Sequence, residues 1–234
     1  MNVLVKYRND FHRVVDFNTA KDKLYHFDFT AANHELTDAL VADTKRFSTY
    51  INSKLDNGKY KYGIGGYNEN RVLYKRSSHF NTKSSLEAPS KGRDLGEART
   101  IHLGIDIWGD AGTKIYAPLG GMVHSTGFNN NFGDYGATII LQHQLDTAVF
   151  HTLYGHVSLK DIETLEQGNY ISRGQQFARF GEPHENGDWP PHLHFQVIQF
   201  MELKEGDYPG VCAKSEREKY LANCPDPNLI LKML

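Results

Sequence analysis

From Arg99 onward the chain is built of short segments separated by glycine turns: TIHLGIDIW, TKIYAPLGGMVHS, ATIILQHQ, AVFHTLYGHV, NYISRGQQFARFG and PHLHFQVIQF. Each is strand-length and rich in β-branched or aromatic residues, and the turns between them are short. That pattern predicts a mainly β protein with an antiparallel sandwich or barrel-like core. The first 57 residues are α-leaning. Between Thr30 and Leu55, residues Leu36, Leu40, Val41, Phe47 and Ile51 recur at helical spacing, with Asn33 as candidate cap and Asn57-Gly58 as stop. Before them KLYHFDF alternates like a short strand. Gly58, Gly63, Gly65 and Gly66 read as a turn feeding a strand in RVLYKRSSHF. The glycines lack the Lys-Ser/Thr of a phosphate-binding loop. Residues 81–98 are small and polar and read as a mobile loop. The expected organisation is therefore an α+β N-terminal part over 1–98, a β domain over 99–200, and a C-terminal extension over 201–234 with a helix near Ser215–Ala222.

At 234 residues with a formal charge of −2, the chain can bury ~70% of its unfolded surface without stapling. The near-neutral balance argues against nucleic acid as a partner, and no apolar run approaches the ~18–20 residues of a membrane span. The N-terminus, interrupted by Lys6, Arg8 and Asp10, does not read as a secretory signal. A cytoplasmic location is expected from that, or a periplasmic or extracellular one if the chain is a mature form. Cys212 and Cys224 either pair or stay free. No feature sets an oligomeric state.

Twelve histidines are the unusual figure, histidine being the commonest metal ligand and the usual acid–base group near neutral pH. In IHLGIDIW the apolar residues Ile101, Leu103, Ile105 and Ile107 alternate with His102, Gly104, Asp106 and Trp108. His102 and Asp106 thus share the polar face of a strand. On a straight strand they would lie ~13 Å apart, at the limit for one metal, so joint ligation predicts a bend at Gly104. In PHLHFQVIQF, His192, His194 and Gln196 share a face, the histidines ~6.6 Å apart. One of them can bind a metal while the other reaches a bound water or substrate oxygen. In AVFHTLYGHV, Phe150, Thr152, Tyr154 and His156 share a face. Tyr154 is a candidate substrate contact beside His156, or else a packed strand aromatic. Each signal alone is weak. Together they supply two histidines and a carboxylate with an open fourth position, the set of a catalytic zinc site.

The ordered motifs resemble the M23 family of zinc metallopeptidases, which includes the lysostaphin-type peptidoglycan endopeptidases. The resemblance rests on His102-Leu-Gly-Ile-Asp106 for HxxxD, GTKIYAPLGGMV, TLYGHVS, NYISRGQQFARFGE, and His192-Leu-His194 for HxH, over roughly residues 99–199. It implies a small antiparallel β core with an open metal groove. It also implies Zn2+ held by His102, Asp106 and His194, catalytic roles for His156 and His192, and a peptide or peptidoglycan substrate. The competing readings are a cytosolic zinc amidase or peptidase on a non-murein substrate, and a non-catalytic peptide-binding pseudopeptidase. None of the five positions is lost, which favours the enzyme. The remaining histidines (His12, His26, His34, His79, His124, His143, His151 and His184) read as structural or solvent-facing. Glu182 and Asp188 are either partners that orient a ligand or solvated loop carboxylates. Trp108 and Trp189 either wall the groove or belong to the core.

Overall fold

The computed structural model describes residues 2–81 and 97–234. The loop expected over 81–98 lies almost wholly outside the described residues. In chain order the strands are β1 (Leu24–Phe27), β2 (Tyr62–Gly65), β3 (Arg99–His102), β4 (Ile105–Trp108), β5 (Lys114–Tyr116), β6 (Gly121–Asn129), β7 (Gly136–Leu145), β8 (Ala148–Val157), β9 (Tyr170–Ile171), β10 (Gln176–Arg179), β11 (His192–Ile198) and β12 (Val211–Ala213). Eight of them form one sheet in the order β1-β2-β4-β11-β8-β7-β6-β9; β5 pairs with β10, and β3 with β12. The antiparallel β core is as expected. The sheet does not close into a barrel, and β1–β2 is a parallel pair.

One face of the large sheet carries Ile105, Ile107, Ile139, Leu141, Phe150, Tyr154, Leu193, Phe195 and Val197. These are buried against the β5–β10 pair, the N-terminal residues Leu4, Phe11, Val14 and Val15, and the C-terminal Ile230 and Leu231. A second cluster joins Phe27, Phe29, Phe47, Ile51 and Val41 to Trp108 and Trp189. A third holds Ile101, Leu103, Tyr135, Leu153, Ile198 and both cysteines. Cys212 and Cys224 are free and buried, and burial pushes both thiols up to about 12.

Three local expectations change. The helix over Thr30–Leu55 is two helices, Asp38–Ala42 and Thr44–Leu55, because Asp43 leaves helical geometry and caps the second by accepting from Arg46 N. Thr37, not Asn33, caps the first. The glycine run YGIG is itself the strand β2, whereas RVLYKRSSHF folds into 3₁₀ turns at Leu73–Arg76 and Ser78–Asn81. The C-terminal helix runs Arg217–Asn223.

Candidate metal centre and active site

Antiparallel register sets the first two functional groups side by side. His194 on β11 lies opposite Asp106 on β4, and His192 opposite Trp108. Directly opposed residues share a face with Cβ atoms ~4.5–5.5 Å apart. The chain breaks between β3 and β4 at Leu103-Gly104, as joint ligation requires, and the break carries His102 back toward the pair. Gly104 is needed for a further reason: a Cβ there would lie 2.6 Å from the His194 ring.

The result is a tight triangle. His102 Nε2 lies 2.9 Å from His194 Nδ1 and 3.2 Å from Asp106 Oδ1, and His194 Nδ1 lies 3.1 Å from the same oxygen. All three side chains are buried. Their outward partners fix the tautomers. His102 donates Nδ1–H to the Gly66 carbonyl at 3.0 Å. His194 donates Nε2–H to Gln196 Oε1 at 2.9 Å. Gln196 cannot present its nitrogen there, because that nitrogen donates to the Pro209 carbonyl. The nitrogens facing inward therefore carry lone pairs, and so does the carboxylate. Burial alone would push the Asp106 carboxyl up. The neighbouring His102 ring and the Arg71 guanidinium outweigh burial and hold the carboxyl well below the usual range. Burial, with Arg71 adding to it, pushes His102 down to about 4. Three ligand atoms thus converge, a group that could hold a metal ion.

His156 and His192 stand beside this triangle. Their rings lie 4.1 Å apart, and His192 stacks on Trp108 at 3.9 Å. His156 donates Nδ1–H to the Asn186 carbonyl at 2.8 Å, and His192 to the Pro190 carbonyl at 2.7 Å. Each Nε2 is left as the basic nitrogen. Burial keeps both rings neutral, His192 at about 4 and His156 well below its usual value. His156 reaches this place because its backbone is left-handed, at φ +64°, next to an irregularity in the β7–β8 register. That turn breaks the two-residue alternation. Tyr154, expected on the same face, instead lies in the core against Phe177 and Phe195, fully buried and away from the cavity.

A cavity of about 500 Å³ opens over the cluster, lined by Asp106, His156, His192 and His194 together with Trp108, Trp189, Tyr74 and Tyr135. Its size is that of an ordinary ligand pocket. Trp108 and Trp189 are both core and wall, at 0% and 3% exposure. Glu182, His184 and Asp188 are exposed. His143 is buried, donating to the Gly120 carbonyl. Gln196 lies on the face its alternation with His192 and His194 predicts, and its role as the His194 partner is visible only in the structure. Arg71, Gly66 and Tyr135, whose hydroxyl lies 3.3 Å from His194 Nε2, join the site only in the structure. Nothing local in the sequence ties those three to the motifs.

A mostly antiparallel sheet thus carries two histidines and a carboxylate that could hold a metal ion, with two more histidines beside them. Residues 100–206, a little under half of the chain, match the model of peptidase family M23. Among solved structures the chain is similar to a zinc-containing peptidase from Vibrio cholerae, at 26% identity over 47% of this chain and 29% of that one, TM-score 0.33. It is also similar to the catalytic domain of the antimicrobial peptidase lysostaphin from Staphylococcus simulans, at 20% identity over 79% and 97%, TM-score 0.41. A third is the catalytic domain of a variant of the prophage-encoded M23 protein EnpA from Enterococcus faecalis, at 19% identity over 56% and 98%, TM-score 0.36. The chain spans only 29% of the length of the Vibrio peptidase. No curated protein matches the sequence. Among the described residues, no helix is long and apolar enough to cross a membrane.

Proposed function

We propose that this chain is a zinc-dependent endopeptidase that hydrolyses peptide bonds, with peptidoglycan cross-links or stem peptides as substrate. His102, Asp106 and His194 would hold the metal. The observation that carries this reading is the convergence of their three lone-pair atoms. The fit is good: bonds of ~2.0–2.1 Å around a four-coordinate zinc put neighbouring ligand atoms ~3.3 Å apart, against 2.9, 3.1 and 3.2 Å here. Zinc bound there would supply an acidified water and polarise a scissile carbonyl.

The protein's own groups do the rest. His156 and His192, neutral at pH 7 and with Nε2 free of a proton, accept the proton of the attacking water. Once charged, the same nitrogen donates to the developing oxyanion or to the leaving amine. The carbonyls of Asn186 and Pro190 keep each proton on Nδ1 and favour the charged ring when it forms. Trp108, Trp189 and Tyr74 exclude water around the reacting bond. The motifs shared with the family support the substrate class, and the cavity of about 500 Å³ over the cluster is where a peptide would bind.

The test is metal content together with hydrolysis of purified murein peptides. His102→Ala, Asp106→Ala and His194→Ala are expected to lose both zinc and turnover. His156→Ala and His192→Ala are expected to keep zinc and lose turnover by ~10²–10⁴-fold. Full zinc retention in all three ligand variants overturns the reading, as does undiminished hydrolysis in both of the others.

A further inference from the structure

Arg71 lies outside the segment that matches the family, yet its guanidinium reaches Asp106 and lines the same cavity. It is 2% exposed, and each of its three nitrogens has a partner. Nη1 donates to Asp106 Oδ2, Nε to Glu69 Oε2 at 2.7 Å, and Nη2 to the Gly66 carbonyl at 3.3 Å. Glu69 is itself anchored, its other oxygen accepting from Phe29 N at 3.3 Å.

The surroundings are shaped for this guanidinium. Gly65 lies opposite Asp106 in the β2–β4 register, and a Cβ at Gly65 would come within 2.7 Å of Arg71 Nη2. The segment that carries Arg71 also runs along β3: Asn68 N donates to the His102 carbonyl, His102 N to the Glu69 carbonyl, and Arg71 N to the Thr100 carbonyl. The Gly66 carbonyl accepts from both Arg71 and His102. One short stretch, 65–71, therefore touches two of the three candidate metal ligands.

We propose that Arg71 is a positioning residue for the metal centre: it occupies Oδ2 of Asp106 and leaves Oδ1 alone to face the ion. This rests on the zinc reading above. A guanidinium is a rigid planar fork with fixed donor directions, which a lysine ammonium cannot reproduce. Because Glu69 and Gly66 hold the fork, the carboxylate cannot rotate to offer both oxygens. Partners of this kind typically govern metal affinity by ~10–100-fold.

The test uses the full chain, with affinity for zinc and cobalt(II) measured by chelator competition and the visible spectrum of the cobalt-loaded protein. Wild type is expected to show the intense visible band of a four-coordinate cobalt ion. In Arg71→Met, affinity is expected to fall ~10–100-fold, and the band to weaken as Asp106 takes up both oxygens and raises the coordination number. Arg71→Lys is expected to recover thermal stability but not the band. Glu69→Gln is expected to lose affinity by a smaller factor in the same direction. If Arg71→Met does not fold, as read by circular dichroism, the lysine and Glu69 variants carry the test. Wild-type affinity and an unchanged band in Arg71→Lys and Glu69→Gln overturn the proposal while leaving the zinc reading intact. A wild-type protein that takes up no metal overturns both.

Discussion

His156, at φ +64°, holds a backbone conformation that costs a non-glycine residue ~1–3 kcal/mol, and it is the residue whose ring faces the proposed metal site from β8. Gly104 is the complementary case, a position where absence of a side chain is required. Gly104→Ala would drive a methyl to 2.6 Å from the His194 ring and 2.8 Å from the Phe195 carbonyl. The expected outcome is a displaced ring and a loss of zinc comparable with that of His194→Ala, read by metal analysis. His143 makes a prediction free of the metal centre. Burial pushes its imidazole down to about 4, while an unfolded histidine titrates near ~6.5. As pH falls from ~6.5 to about 4, the unfolded chain takes up a proton that the folded chain refuses. Stability therefore declines through that window, by at most ~1.4 kcal/mol per pH unit for one such group. His102 and His192 add to the decline in the same window in metal-free protein. Denaturant unfolding of zinc-depleted protein between pH 7 and 4 should show a shallower slope in His143→Gln than in wild type. Equal slopes would show that this ring does not resist protonation.

At the scale of elements, the strands of residues 99–200 were legible because each carries its own alternation of apolar and polar side chains, which needs no partner to be recognised. The bend expected at Gly104 within IHLGIDIW is a full break that divides it into β3 and β4 and brings His102 to Asp106. The glycine-rich YGIG looked like a turn because glycine has low strand propensity. It becomes β2 because the bare Cα atoms of Gly63 and Gly65 leave room for the Phe27 ring and the Arg71 guanidinium. The helical pattern holds from Leu40 to Ile51 but is silent about Asp43, whose extended backbone ends one helix and whose carboxylate caps the next. Asp43→Ala should lower stability by ~0.5–2 kcal/mol in denaturant unfolding and leave the metal affinity unchanged, since the cap is exposed and its carboxylate accepts from Arg46 N, not from any group of the cluster.

For the whole molecule, the N-terminal residues are joined to the site through shared sheet and shared core. β2 pairs with β4 beside Asp106 and Trp108. The Trp108 ring that stacks on His192 is packed edge-on by Phe27, Phe29 and Phe47 at 6.3, 5.5 and 5.9 Å. Phe47→Ala should cost ~3–5 kcal/mol and, by loosening Trp108, reduce turnover with zinc retained; unfolding curves and metal analysis separate the two effects. Local pattern in the sequence determined the β character of residues 99–200, the polar faces of the three histidine-bearing segments and the five residues worth testing, because alternation and motif spacing are properties of neighbouring residues. Only the tertiary structure decided which side chains meet. Strand register put His194 opposite Asp106, a left-handed residue separated His156 from Tyr154, and Arg71 came to Asp106 across a sequence gap of 35 residues. Those outcomes depend on strand pairing and packing between distant segments, and no spacing within a single segment encodes them.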